Sequence, residues 1–208
     1  RSVLTEKYGL GKNYAEWIIK NKKDISNDPN KIIPFAYRPF DNRYTYFDNK
    51  LVWRPRTNTM KHFLLGDNLG LIFTRQAIGG SDYNHIMVSR NMSDNRVFFS
   101  NKGIPIEVPL YLYTEDGSKV PNLKEEIVDE IEKKVGKTTP EDVLDYMYAV
   151  LHSPSYREKY KEFLKIDFPR VPYPKDAKSF KKLVVLGGEL RSLHLLESPK
   201  VSQFITTY

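Results

Sequence analysis

The sequence predicts an α+β fold, a β-rich part with short mixed strands followed by a helical part, and three observations carry that reading. Residues 32–113 hold six short runs of aromatic and β-branched residues separated by Asp, Asn, Gly and Pro, the texture of strands and turns. Beyond Gly117 the period becomes helical, with Leu123, Ile127, Ile131 and Val135 four apart. Charge divides near the same place. Residues 31–102 carry 11 Lys/Arg against 5 acids and no glutamate, whereas residues 103–208 carry 16 against 17.

In chain order, residues 11–23 read as a short helix with Tyr14, Trp17 and Ile18 on one face, followed by a turn-rich connector through Asn27-Asp28-Pro29-Asn30. The expected strands are Ile32–Tyr37, Tyr44–Phe47, Leu69–Arg75, His85–Ser89, Arg96–Ser100 and Val108–Tyr113. One helix interrupts them at about 57–65, with Gly66 as a left-handed stop. The stripe 123–135 ends at Gly136. Thr139-Pro140-Glu141-Asp142 then places an N-cap, a first-turn proline and two acids at a helix start. Ser153-Pro154 opens another helix, three prolines break the segment 167–175, and a last helix spans about 176–197. Its Gly187-Gly188 pair marks either a close helix approach or a kink. The implied organisation is 1–30 as an N-terminal helix and connector, 31–117 as a recognition part, and 118–208 as a helical bracing and docking part.

Composition excludes several functions. The chain has no cysteine, hence no disulfide, thiolate metal site or cysteine nucleophile. No apolar run approaches the ~20 residues of a membrane span, so a cytoplasmic protein is expected. The chain opens at Arg1 without a methionine, and it is read as a piece of something longer. The four histidines, at 62, 85, 152 and 194, lack metal-ligand spacing. Gly9-Leu10-Gly11-Lys12 lacks the Ser or Thr of a phosphate loop, and no catalytic set emerges.

What remains is a pattern suited to polyanions. Seven of the eleven arginines lie in residues 31–102, and guanidinium groups bind phosphates bidentately. Tyr37-Arg38-Pro39-Phe40-Asp41-Asn42-Arg43-Tyr44 interleaves arginines with rings. Arg54-Pro55-Arg56 brackets a proline before a helix carrying Lys61. With Arg90, Arg96 and Lys102, these residues are the candidate phosphate contacts: Arg38, Arg43, Arg54, Arg56, Lys61, Arg90, Arg96 and Lys102. The alternative for Arg38 and Arg43 is pairing with Asp41. The polar segment 75–84 supplies Arg75, Gln76, Ser81, Asp82, Tyr83 and Asn84, side chains of the kind that match base edges. A protein-interaction scaffold and an RNA-binding domain remain as alternatives. Exposed rings beside the arginines favour single-stranded RNA, and buried rings beneath an arginine-lined face favour duplex DNA.

The ordered motifs go further. Tyr37-Arg-Pro-Phe-Asp-x-Arg43, Arg54-Pro-Arg56 with Met60 and His62, Asn68-Leu-Gly-Leu71 and Arg75-Gln76 are followed by His85-x-x-Val88-Ser89 and Pro109-Leu-Tyr-Leu-Tyr113. Leu151-His-Ser-Pro-x-Tyr156, Asp167-Phe-Pro-Arg170 and Leu193-His-Leu-Leu-Glu197 complete the series. This order resembles the C-terminal specificity region of type ISP restriction-modification enzymes and related fused N6-adenine DNA methyltransferases. The resemblance implies a non-catalytic module that recognises double-stranded DNA and docks on an upstream methyltransferase of the same polypeptide. It implies S-adenosylmethionine, ATP and Mg²⁺ for the parent enzyme and no cofactor for this region.

Overall fold

The computed structural model describes residues 16, 28–49, 51–52, 55–77, 82–98 and 104–206. The helix expected over residues 11–23 lies outside them except for Glu16, as do Arg54, Ser81 and Lys102. The α+β reading holds: small antiparallel sheets come first and helices follow.

Asp28 accepts from the Asn30 amide at 3.0 Å and caps a short 3₁₀ turn, Pro29–Lys31, that feeds the first strand. β1 (Ile32–Arg38) and β2 (Asp41–Tyr46) form a hairpin closed by Pro39-Phe40. Phe40 sits at φ 63°, a left-handed conformation unusual for a bulky side chain. The second strand was expected to begin at Tyr44, because nothing in Pro-Phe announces so tight a turn. α1 (Thr57–Met60) continues as a 3₁₀ turn, Lys61–Phe63. Gly66 is not left-handed. A β-carbon there would lie 2.5 Å from the Tyr113 hydroxyl, so the glycine admits a ring rather than ending a helix.

The central sheet is β4 (Ile86–Ser89), β3 (Gly70–Phe73) and β5 (Ile106–Pro109), antiparallel with β3 in the middle. All four β4 residues are buried. The strand expected at Arg96–Ser100 does not form over residues 96–98. Val97 closes a turn on the Asp94 carbonyl and is fully buried against Ile72 and Met87; its apolar character serves a plug, not a ladder. The run Val108–Tyr113 divides at Leu110. Its second half, β6 (Tyr111–Tyr113), pairs with β7 (Lys119–Pro121) across the left-handed Gly117. Asn68 stitches this junction, donating to the His62 and Tyr111 carbonyls and accepting from the Leu69 and Tyr111 amides.

The helices are α2 (Glu125–Val135), α3 (Pro140–His152), α4 (Pro154–Lys159), α5 (Lys161–Leu164) and α6 (Ala177–His194). Gly136 ends α2 at φ 87°, and Thr139 with Asp142 forms a reciprocal capping box on α3. α3 and α6 approach closely at Gly187. A β-carbon there would stand 1.9 Å from the Asp145 carbonyl oxygen, which identifies the glycine pair as a close approach. Beside it Arg191 grips the buried Asp145 carboxylate at 2.6 and 3.0 Å. One apolar cluster joins Tyr83, Ile86 and Val88 of the sheet side to Ile131, Val143, Tyr148 and Phe180 of the helices. The core is therefore shared across residue 117, and β3 and β4 run over a helical floor.

Candidate nucleic-acid interface

Because β3 and β4 are antiparallel, the loops at their two ends lie at opposite ends of the sheet. The candidate residues sort between these ends.

At the Gly70/Ser89 end stands the β1–β2 hairpin. The Tyr37 ring is sandwiched between the Arg38 and Arg43 guanidinium groups, each 4.0 Å from its centre. Asp41 grips Arg43 at 2.7, 3.0 and 3.1 Å, and that hydrogen bonding holds the Asp41 carboxyl below its usual range. Arg38 donates to the Tyr37 carbonyl at 2.6 Å and lies 3.5 Å from Asp94. Arg90, beyond β4, makes a two-pronged pair with Glu197 after α6. The hairpin tip reaches the same helix, with Phe40 edge-on to His194 at 5.7 Å. Tyr44 is 76% exposed and Phe40 54%.

These contacts correct the charge argument. The absence of glutamate in residues 31–102 does not leave the arginines uncancelled. Aspartates within the stretch, and Glu197 far outside it, neutralise Arg38, Arg43 and Arg90. Arg56 and Lys61 flank α1, exposed, and neither has a carboxylate within 4 Å among the described residues. Arg56 adopts a left-handed conformation at φ 45°. Arg96 is exposed, and its amide takes the Asp94 carboxylate at 2.8 Å.

The Phe73/Ile86 end carries the segment expected to read bases. The Tyr83 hydroxyl donates to the Thr74 carbonyl at 2.5 Å, and the residue is 2% exposed. Tyr83 therefore belongs to the core, and its assignment as a base reader is withdrawn: the hydroxyl is spent and the ring is covered. Its role is to hold the segment's far end, while the Ala77 amide donates to the Leu164 carbonyl at 2.7 Å and ties the near end to α5. Arg75, Gln76, Asp82 and Asn84 are exposed. Arg75 lies 3.8 Å from Asp167 and 5.5 Å from the Phe168 ring centre.

Opposite Asp82 and Asn84, the helical half contributes Arg157, Lys161 and Lys165 to a cleft of about 280 Å³. Nothing in composition singles out these three cations, because they stand in the half whose charges balance. The nearest signal was the Ser-Pro-x-Tyr156 motif that immediately precedes Arg157.

A family model, the Type ISP C-terminal specificity domain, matches residues 12–208. The chain belongs to that family. The specificity domain is also similar to solved structures. It matches a chain of the cryo-electron-microscopy DrdV–DNA complex at TM-score 0.69 and 27% identity, over 85% of this chain and 17% of that one. A nuclease-deletion mutant of the Type ISP restriction-modification enzyme LlaGI, in complex with a DNA substrate mimic, matches at 0.62 and 27% over 82% and 14%. The ATP-dependent Type ISP enzyme LlaBIII bound to DNA shares the fold at TM-score 0.68 and 21% identity, over 86% and 12%. This chain thus spans less than a fifth of each of those chains. No curated protein matches it.

Proposed function

We propose that this chain recognises a duplex DNA target on behalf of a larger restriction-modification polypeptide with adenine-N6 methyltransferase activity, and that it performs no chemistry itself. The carrying observation is its membership of the specificity-domain family, together with relatives at 27% identity seen in complex with DNA or a DNA mimic. On this reading residues 31–117 meet the duplex, and residues 118–208 brace them and dock on the methyltransferase. S-adenosylmethionine, ATP and Mg²⁺ belong to parts of the polypeptide outside this chain. Arg56, Lys61 and the hairpin arginines hold phosphates and set register. Arg75, Gln76, Asp82 and Asn84 present donors and acceptors to base edges in a groove, and adenine flipping takes place in the methyltransferase pocket.

Binding to a random-sequence duplex across a salt series tests this, with single-stranded DNA, single-stranded RNA and heparin beside it. Duplex preference with a steep negative salt slope is the expected result. Equal or weaker binding to duplex than to heparin at every salt concentration would overturn it. A second reading has one observation of its own. Tyr44 and Phe40 are exposed beside Arg38 and Arg43, an arrangement on which single-stranded bases stack. Preference for single-stranded RNA, lost in Tyr44→Ala, would establish that reading instead.

A further inference from the structure

Arg157 is the feature of this fold least explained by stability. It lies in α4, half-buried, and its Nε donates to the Leu151 carbonyl at 2.8 Å, one of the acceptors that the end of α3 leaves open. One Nη2 hydrogen faces His152 Nδ1 at 3.1 Å. Nη1 has no protein partner among the described residues, and no carboxylate stands within 4 Å of the guanidinium. A partly desolvated cation with no hydrogen-bonded carboxylate is costly, and Asp82 across the cleft offsets only part of that cost. The contrast with Arg191 is direct, since that guanidinium, similarly placed on α6, has its carboxylate. Capping α3 needs one donor, and a fork of five is supplied.

The unused part of the fork lines the cleft described above. Lys161 and Lys165 stand at the same cleft, one helical turn and two along from Arg157. Two acids share it, Asp82 and Glu158, but each lies 3.9 Å from the Lys161 ammonium, too far for a hydrogen bond. Lys165 is turned to Glu162 at 2.5 Å, an exposed i,i+3 pair of the kind that exchanges readily. Asn84 adds a neutral amide from the opposite wall. The cleft of about 280 Å³ has room for many waters and so admits a phosphate group.

We propose that this cleft is a phosphate-binding site for the DNA backbone, with Arg157 as its fixed donor and Lys161 and Lys165 as mobile ones, so that the helical half clamps the strand whose bases the 75–84 segment reads. The proposal rests on the duplex-recognition reading above and assigns its charge to a different half of the chain. A phosphate on Arg157 sets register at the segment carrying Asp82 and Asn84, where a shift of register would change which base they meet. Burial outweighs the through-space attraction of Asp82 at this cation, and an anion in hydrogen-bond contact relieves the remaining penalty.

The test is duplex affinity against salt for Arg157→Gln and for the double variant Lys161→Ala/Lys165→Ala, with a thermal unfolding scan of each. One lost phosphate contact flattens the slope of log K against log salt by about 0.9. We expect that change and a roughly tenfold affinity loss at low salt, with the ranking of duplex sequences unaltered. The double variant alters only exposed side chains, so it remains informative if Arg157→Gln unfolds. An unchanged slope in a folded Arg157→Gln, or in the double variant if the former unfolds, overturns the proposal. Protection against thermal unfolding by inorganic phosphate, present in wild type and lost in Arg157→Gln, supports the anion site independently of DNA. If wild type binds no duplex yet shows that protection, the recognition reading falls and the anion site stands. Equal protection by polyglutamate would assign the site to a protein carboxylate and overturn the DNA assignment.

Discussion

The two ends of the β3–β4 pair treat positive charge in opposite ways. At the hairpin end the arginines are numerous and spoken for: Arg38 by Asp94, Arg43 by Asp41, Arg90 by Glu197. At the loop end a half-buried guanidinium, Arg157, has no carboxylate within 4 Å among the described residues and comes from the half of the chain whose charges balance. Density of arginine along a sequence thus measures how many planar forks the fold uses, not how many it leaves for a ligand. An arginine stacked on Tyr37 and tied to Asp41 is a rigid construction element. Such pairs at the surface contribute little to stability, with a median near 0–1 kcal/mol, and they are easily exchanged for phosphate.

Two titratable groups also respond to pH in opposite ways. Glu107, on β5, accepts from the Ser93 amide and hydroxyl at 2.7 and 2.8 Å and so holds the segment bearing Asp94 under the hairpin. Burial pushes its carboxyl from an ordinary 4.5 up to about 7. Between the two ends, where His152 meets the His194 ring edge-on on one side and Arg157 on the other, burial and the neighbouring Arg157 push its pKa from 6.5 down to about 4. The folded state holds the Glu107 proton more tightly than the unfolded chain does. Its contribution to stability is full below pH 4.5 and is lost as pH rises through 7. For His152 the order reverses: the contribution is present above pH 6.5 and is lost as pH falls toward 4.

The largest way to break the comparison is to separate the helices that join the ends. α6 ends beneath the hairpin tip, and α3 ends at Arg157. Gly187→Ala drives a methyl into the Asp145 carbonyl. The ~1 kcal/mol that alanine gains in helix propensity does not offset overpacking against backbone, so a net loss of about 3 kcal/mol is expected. Urea unfolding measures it, and a loss under 1 kcal/mol would mean that the helices slide apart freely. Next in size is Glu107→Gln, which keeps an acceptor for Ser93 and removes the ionisation. Its stability at pH 8 should exceed wild type by on the order of 3 kcal/mol and should not fall between pH 4.5 and 8. His152→Gln should flatten the acid limb instead, by less, because that ring is only partly buried. Superimposable pH profiles for these two variants would erase the distinction between the two groups. The smallest effect is expected from Glu197→Gln, which releases Arg90. Duplex affinity should rise a few-fold at low salt and the slope should steepen by up to about 0.9. No change would mark the hairpin arginines as structural alone.

How much was legible follows from the range of each interaction. The Thr139 N-cap and the Gly136 stop are built within four residues and stand where the sequence put them, and α6 begins within a residue of its expected start because Asp176 caps it locally. The shift from strands to helices near Gly117 was likewise local in origin. Arg90 and Glu197 are 107 residues apart, and no composition window connects them. Phe40 closes a turn in a conformation that asparagine or glycine would have announced. Tyr83 sits amid polar neighbours yet is core, because its single hydroxyl finds the Thr74 carbonyl. The 75–84 segment was legible as a polar connection between strands, but the wall facing Asp82 and Asn84 was not, since Arg157, Lys161 and Lys165 are brought there only by tertiary packing.

The anchoring of that segment has a consequence for how a target-reading loop, on the function proposed above, can be altered. One end is fixed by a main-chain bond from Ala77 to Leu164 and the other by a single tyrosine hydroxyl on a main-chain acceptor. Main-chain atoms are the same for every amino acid, so neither anchor constrains what is written between Ala77 and Tyr83. Exchanging residues 78–81 as a cassette, with Ala77, Asp82 and Tyr83 retained, should therefore shift duplex preference with little change in thermal stability.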